Sequence, residues 1–368
     1  MSEAAPVARG LRVAVDWHMI GRPLTDDTDV GRYQQVLTTA LAVRANPDDD
    51  IWALIAWPTA VDRIAPGIGH AGIGHRDMGR RRGDAHQMLA RLAPDMSIFS
   101  HISPVRTTSP IALVMHDALF ATHHEWLGVH ERGRTRAQSA RAVRDARLVI
   151  AASEVARVDV VSVLDIPPDR VHVVAPAPAA AFTRRSGAAA RVAAHFGLDR
   201  YCMAIGDAGL RANLAHLTDA VACLGERGLQ LVSADRAPRG RRGHGVVEGV
   251  RYLGPVSDDQ RADLLSAARV AACVSFYDGC GIRALEALAC GTPLVVSDRG
   301  ALSEVVGDAA LVVPPTVNGI AEGLRAAGGT ELADRLRRAG PTRAAQFTHS
   351  RMGQTAWSAI RNAEQTTG

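Results

Sequence analysis

The sequence predicts an α/β protein of two doubly wound, Rossmann-like domains that face each other across a cleft, followed by a C-terminal helix. Three observations predict it. At 368 residues the chain exceeds the length over which a single core keeps growing, so two domains are expected. Short runs rich in Val, Ile, Leu and Ala, bounded by Gly, Pro and Asp, alternate with helical segments, the pattern of parallel strands covered on both faces. The alternation occurs twice, on either side of a Pro/Ala stretch from Ala175 to Ala181.

The first set opens with LRVAVDW (Leu11 to Trp17), then a polar loop and an amphipathic stretch from about Gly31 to Arg44. DIWALIAW, DMSIFSH and IALVMHD read as buried strands. RLVIAAS and VARVDVVSVLDIPPDRVHVVAP repeat the strand–helix–strand rhythm. The second set runs YCMAIGD, the helical NLAHLTDAVACLGERG, then LQLVSAD, GVRYLGPV, ARVAACVS and TPLVVS. Domains are therefore expected at 1–183 and 184–345, with 346–368 as a closing segment. A helix from about Arg343 to Glu364, carrying Phe347, Met352, Trp357 and Ile360, is expected to pack back on the first domain. GIGHAG (Gly67 to Gly72) satisfies GxGxxG, but Pro66 stands where a strand is needed and IGHRDMGRRRGD after it has no helical period. A flexible loop is the expectation there, not a dinucleotide site.

Composition excludes several functions. With 47% hydrophobic and 22% charged residues the chain sorts with soluble globular proteins. No apolar run reaches membrane-spanning length, and the acidic start passes into a strand pattern without a cleavage site, so a cytoplasmic location is expected. The five cysteines lie in the second half without metal-type CxxC spacing and read as reduced core thiols. The chain contains no lysine, so every fixed side-chain cation is an arginine. Schiff-base chemistry, a Walker-type phosphate loop and a Ser–Lys dyad drop out. The clusters GRRRGDAH and RAPRGRRGHG lack interleaved aromatics in a chain that is 4% aromatic, so no nucleic-acid partner is expected. They read as solvated loops, with weak membrane-surface contact as the second reading. HHEW (His123 to Trp126) has no complementary ligand spacing, and no metal site is expected.

The richest stretch is SFYDGCGIRALEALACGTPLVVSDRG, Ser275 to Gly300. ARVAACVSFY reads as a strand, DGCG as the turn at its C-terminal end, and IRALEALA as a helix stopped by Gly291 and Pro293. Unpaired N–H groups behind such a glycine turn, aided by the helix dipole, favour an anion, with phosphate the first candidate. Arg283 either supplies a fixed charge there or extends to solvent. Ile282 to Glu286 spans about 6 Å of helical rise. Asp278 and Glu286 then flank an extended ligand, or else Asp278 caps the helix and Glu286 lies on the surface.

With LSEVVGDAALVVPP following it, this stretch resembles the signature of glycosyltransferase family 4. So do DVGRY, VMHDALF, ASEVARVDVVSVLDIPPDRVHVV and YLGPVSDDQRADLLSAARVAACVSFYDG, in order along nearly the whole chain. The resemblance implies a GT-B fold and metal-independent, retaining transfer of sugar from a nucleotide-diphosphate sugar, with no cofactor beyond that co-substrate. It implies that Glu286 holds the ribose hydroxyls, that Asp278 faces the sugar, and that Gly279, Cys280, Gly281 and Ile282 cradle the diphosphate. Arg211 would neutralise the leaving group, His116 would stand near the reacting carbon or acceptor, and Arg283, Gly31 and Val256 would belong to the donor site. A structural histidine partnered by Asp117 is the other reading of His116.

Three positions depart from the family. Ala212 stands where a diphosphate-binding lysine follows the arginine, Asp29 where the first domain has a phosphate-facing glycine, and Asp278 where the family has a glutamate. Arg283 or Arg32 would offset the missing lysine. These departures, with APAPAAAF, motivate a second expectation: a non-transferring family member acting as a binding subunit beside a homologous partner. A GT-B nucleotide-sugar epimerase ranks last. The sequence does not name the acceptor, and the resemblance leaves glycan, lipid and small natural-product acceptors open.

Overall fold

The computed structural model describes residues 10–18, 20, 28–56, 60, 73–77, 82–100, 107–122, 129–206, 210–225, 229–235, 237 and 246–365. GIGHAG, HHEW and nearly all of RAPRGRRGHG lie outside them.

Two parallel sheets carry the described chain. The first contains β1 (Arg12–Trp17), β2 (Asp50–Ile55), β3 (Ile73–Asp77), β4 (Met96–Ser100), β5 (Ile111–Met115), β6 (Leu148–Ala151) and β7 (Val171–Val173), in the order β3-β2-β1-β4-β5-β6-β7. The second contains β8 (Tyr201–Ala204), β9 (Gln230–Ser233), β10 (Val250–Tyr252), β11 (Val270–Cys273), β12 (Leu294–Ser297) and β13 (Leu311–Val313), ordered β10-β9-β8-β11-β12-β13. In each sheet the order reverses at a central strand, β1 or β8, which is where an open α/β sheet leaves a crevice beyond its strand ends. Strands β4, β6, β8 and β11 are buried along their whole length, which explains the unbroken apolar sequences of β6, β8 and β11.

The helices follow the predicted rhythm. In the first half they are α1 (Asp29–Arg44), α2 (Arg82–Leu92), α3 (Leu119–Thr122), α4 (Val129–Asp145) and α5 (Glu154–Leu164). In the second they are α6 (Ala188–Phe196), α7 (Leu214–Cys223), α8 (Asp258–Ala267), α9 (Ile282–Ala289), α10 (Leu302–Val306), α11 (Val317–Ala327), α12 (Thr330–Ala344) and α13 (His349–Gln365). Local signals set several starts. Thr28 caps α1 through its hydroxyl, Ser153 caps α5, and Ser257 with Gln260 forms a complete capping box on α8.

Two expectations are corrected. IGHRD, taken as part of a flexible loop, is the edge strand β3, paired in register with β2. An edge strand is half solvated, so its side chains need not be apolar, and its polar character argues against aggregation. What holds it is Trp52 on β2: the Arg76 guanidinium lies 3.8 Å from the Trp52 ring centre. Gly74 lets the strand approach, since a Cβ there would fall 2.4 Å from the same ring. The helix expected from about Arg343 to Glu364 starts later than that. Helix α12 holds Pro341 near its end and stops at Ala344, and α13 restarts at His349, where the Thr348 hydroxyl accepts the Arg351 N–H at 3.1 Å.

The break divides the apolar residues between the domains. Phe347 packs against the second-domain core, whereas Met352, Ala356, Trp357 and Ile360 belong to the first-domain core with Leu37, Ala40 and Leu41 of α1. Burying a Met or Ile side chain of this kind contributes about 1.5–3 kcal/mol, and Trp357 adds an indole N–H donated to the Leu41 carbonyl at 2.9 Å. The closing helix therefore ties the end of the second domain to α1 of the first. No helix among the described residues is long and apolar enough to cross a membrane.

Candidate functional site

A cavity of about 440 Å³ lies between the strand ends of the two sheets. The first domain contributes Asp29 and Val30 from α1, and Met115, His116 and Phe120 from the end of β5 and α3. From the second come Arg211, Asp235, Asp278, Gly279, Cys280 and Arg283. Seven of the residues expected from the sequence thus meet in one place: His116, Arg211, Asp29, Asp278, Gly279, Cys280 and Arg283.

The turn after β11 is built as its sequence dictates and is then filled from within. Gly281 has φ +69° and opens α9 without a side-chain cap, a conformation that favours glycine. Asp278 Oδ1 accepts the N–H groups of Cys280 at 2.9 Å and Gly281 at 2.7 Å. The N–H groups on which an anion was expected to rest are therefore already engaged by the chain's own carboxylate. Burial first, then the charge of Asp29, pushes the Asp278 carboxyl above the ordinary carboxylate range, against the opposing pull of Arg211 and the two N–H groups.

This upward displacement makes a stability prediction. The native state holds the Asp278 proton more tightly than the unfolded chain, so the associated stability is present below the unfolded value of about 3.9 and is lost as pH rises through the native value. At pH 7.5, well above the unfolded value, the acid is a net cost to folding. Asp278→Asn keeps an amide oxygen for both N–H groups and removes the charge. It is expected to melt higher than the parent at pH 7.5, each kcal/mol recovered being worth about 2 °C in a chain this long, with the gain fading toward pH 4. Equal melting temperatures at pH 7.5 would contradict the assignment.

The arginines are held rather than extended to solvent. Arg283 is 6% exposed; its Nε donates to Asp29 Oδ1 at 2.6 Å and one terminal nitrogen to Asp235 Oδ1 at 3.2 Å. Arg211 reaches the other Asp29 oxygen at 3.5 Å, an ion pair longer than a well-formed hydrogen bond. Glu286 is not a surface residue: it is 1% exposed and accepts from Arg32 at 2.9 Å, while Arg32 also donates to Asp258 at 2.7 Å. Arg32 thus stands at Glu286 and not among the residues that line the cavity.

Backbone packing joins the domains at the same turn. A Cβ on Gly279 would fall 1.9 Å from the His116 carbonyl oxygen, so only glycine lets the turn sit this close. The Ser153 hydroxyl donates to the Gly279 carbonyl at 2.8 Å. Cys280 and Ile282 pack into the first-domain core although they belong to the second-domain turn. Nearby, Tyr277 donates to Asp159, and Glu304 accepts the Glu154 and Val155 N–H groups at the start of α5.

Of the remaining expected residues, Gly31 and Val256 lie apart from the cavity wall. Gly31 is in the first turn of α1, its N–H bonded to the Thr28 hydroxyl at 3.1 Å. Val256 is half-buried against the second-domain core. His116 stacks edge-to-face on Tyr33, ring centres 4.9 Å apart. The Asp117 carboxylate accepts the Leu119 N–H at 3.2 Å and so caps α3. Ala212 is buried in the second-domain core, and Asn213 beside it, at φ +58°, donates to the Val274 and Pro315 carbonyls, each at 3.0 Å. That pair of bonds fixes the loop that presents Arg211. Asp235 and Ser153 were not singled out from the sequence. Asp235 had a usable signal, its place just beyond strand LQLVS, where α/β sheets put ligand groups. Among the described residues, no group of three His, Cys, Asp or Glu could hold a metal ion.

Comparison with known proteins matches this architecture. The fold is that of Thermosynechococcus elongatus sucrose-phosphate synthase (TM-score 0.75, 16% identity, covering 97% of this chain and 100% of that one). Anabaena HepE in complex with UDP and glucose is similar too (TM-score 0.71, 14% identity, 96% of this chain and 100% of that one). The chain has the two-domain GT-B fold expected of it.

Residues 200–327 match the family described as "Glycosyl transferases group 1". Among curated proteins, O-antigen chain mannosyltransferase B of Escherichia coli is 50% identical over 72 residues, 19% of this chain and 19% of that protein. MMP alpha-(1->4)-mannosyltransferase of Mycolicibacterium hassiacum is 44% identical over 78 residues, 20% of this chain and 19% of that protein. The chain spans about a fifth of the length of these curated relatives.

Proposed function

We propose that the protein is a retaining glycosyltransferase that moves a sugar from a nucleotide-diphosphate sugar to a glycan, lipid or small natural-product acceptor. The observation that carries this reading is the convergence of Arg211, Arg283 and the Asp278–Gly281 turn on one wall of the cavity, opposite His116. The match over residues 200–327 covers that wall.

In this reading each group acts by its own chemistry. Glu286, with two acceptor oxygens, takes the ribose hydroxyls once Arg32 yields. The Gly279–Ile282 backbone and Arg283 receive the diphosphate, and Val256 lies toward the base. Arg211 stabilises the charge that develops on the leaving phosphate as the bond to the sugar breaks, so the developing charge is met by guanidinium groups and neither metal nor cofactor is invoked. His116 and Asp278 face the sugar. Acceptors enter along the first-domain side, where Val30, Met115 and Phe120 form an apolar wall. Transfer is placed in the cytoplasm, where nucleotide sugars would be the donors.

A panel of UDP, GDP, dTDP and ADP tests the donor claim. At least one is expected to raise the melting temperature, since a ligand at 100 times its Kd stabilises the native state by about 2.7 kcal/mol. No shift with any of the four would defeat the proposal. One structural observation favours a second reading, a non-transferring subunit that works beside a homologous enzyme: Asp29 already pairs with both Arg283 and Arg211. Hydrolysis of a nucleotide sugar by the pure protein would exclude that reading. Absence of hydrolysis together with co-purification of an active homologue would support it.

A further inference from the structure

We infer that Asp29 is a resident counter-anion of the donor site: its carboxylate stands between Arg283 and Arg211 in place of a phosphate, and a diphosphate enters only by displacing it. The inference rests on the donor reading above and adds how that site is regulated.

Four observations carry it. First, the pairs cross the cleft. Asp29 is on the first domain, and the guanidinium groups it meets, at 2.6 Å and 3.5 Å, are on the second. Second, one helical turn further along α1, Arg32 meets Glu286 at 2.9 Å, so two residues on one face of α1 engage both the phosphate end and the ribose end of the site. Residues three apart on a helix lie side by side, which lets a single element do this. Third, the anion-binding N–H groups of Cys280 and Gly281 are taken by Asp278, an acceptor that is also part of the chain.

Fourth, the site is already supplied with anions. Asp29, Asp117, Asp235 and Asp278 line the cavity with Arg211 and Arg283, and Arg261 lies 3.9 Å from Asp235. A nucleoside diphosphate adds at least two negative charges to a partly buried cluster in which carboxylates already outnumber guanidinium groups, and where like charges repel more strongly than in water. Binding is favourable only if a carboxylate leaves. Asp29 is the one able to do so without breaking the second domain's own fold, because its partners lie across the cleft and it is 22% exposed, whereas Asp278 caps its own turn.

The cost of displacing Asp29 therefore falls on phosphate, and is separate from that of displacing Arg32 from Glu286 at the ribose end. Asp29→Asn keeps the side chain's size and place at the start of α1 while removing the charge. Titration calorimetry of the full chain with UDP, GDP, dTDP and ADP, and with the four matching nucleosides, separates the contributions. The diphosphate that binds the parent is expected to bind Asp29→Asn at least tenfold more tightly, with nucleoside affinity changed by less than twofold, and Asp29→Gly is expected to behave alike. Unchanged or weaker diphosphate binding in both variants overturns the inference and leaves the donor reading standing. Equal gains for diphosphate and nucleoside also overturn it. Binding of no diphosphate to the parent or to either variant overturns the donor reading and the inference with it.

Discussion

Replacing Glu286 with alanine is expected to destabilise the folded chain by about 3 kcal/mol and to abolish use of a nucleotide-sugar donor. The pair it breaks is buried on both sides: Glu286 is 1% exposed and the Arg32 side chain 6%. Removing one partner of a buried ion pair leaves the other charge desolvated, at a cost of roughly 3–5 kcal/mol. The lower end applies because Asp258, itself 34% exposed, still faces Arg32 at 2.7 Å. Chemical denaturation of the single variants and of Arg32→Met with Glu286→Leu separates the penalty of an orphaned charge from the worth of the pair. The double variant is expected to recover most of the loss, because two apolar side chains of similar volume leave no buried charge behind. A Glu286→Ala protein as stable as its parent would show that Arg32 is not tied to the second domain at this position.

The second large effect is expected at Arg211. Its loss should lower kcat for transfer by about 10²- to 10³-fold, the scale observed when one preorganised stabiliser of developing charge is removed. Stability should change little, since Arg211 is a quarter exposed and its ion pair with Asp29 is long, at 3.5 Å. The signature is a large fall in kcat with a smaller rise in KM, because Arg211 meets the bound diphosphate and meets it more strongly as charge develops on it. A rise in KM at unchanged kcat would instead place Arg211 in ground-state binding of the diphosphate. Arg211→Lys is a useful companion: a lysine carries the charge but not the planar fork.

Much of the fold was legible because local chemistry repeats it. Strands such as ARVAACVS and TPLVVS are buried on both faces and announce themselves by unbroken apolar runs, and the caps at Thr28, Ser153 and Ser257 lie where hydroxyl-bearing residues precede helices. The misses have physical causes. β3 was invisible because an edge strand supported by one tryptophan needs no apolar period. The helix expected from about Arg343 to Glu364 was started too early because Phe347 was grouped with Met352, Trp357 and Ile360, although it lies five residues before Met352, off its helical face, and packs on the other domain.

The site divides along the same line. The sequence by itself determined that a glycine turn, two carboxylates and an arginine-bearing helix gather at the end of one strand, because these residues are neighbours within 12 positions and a strand–turn–helix unit leaves them little choice. It also determined that every cation available to an anionic ligand is an arginine. Only the tertiary structure decided what those groups do to one another. Asp29 and Arg283 are 254 residues apart in the chain, as are Arg32 and Glu286, and no local rule pairs them. They meet because two separately wound sheets present their strand ends to each other, and because burial makes each charge seek the nearest opposite one. Asp29, a departure from a family pattern when read along the chain, becomes in three dimensions the anion that occupies the place prepared for a phosphate.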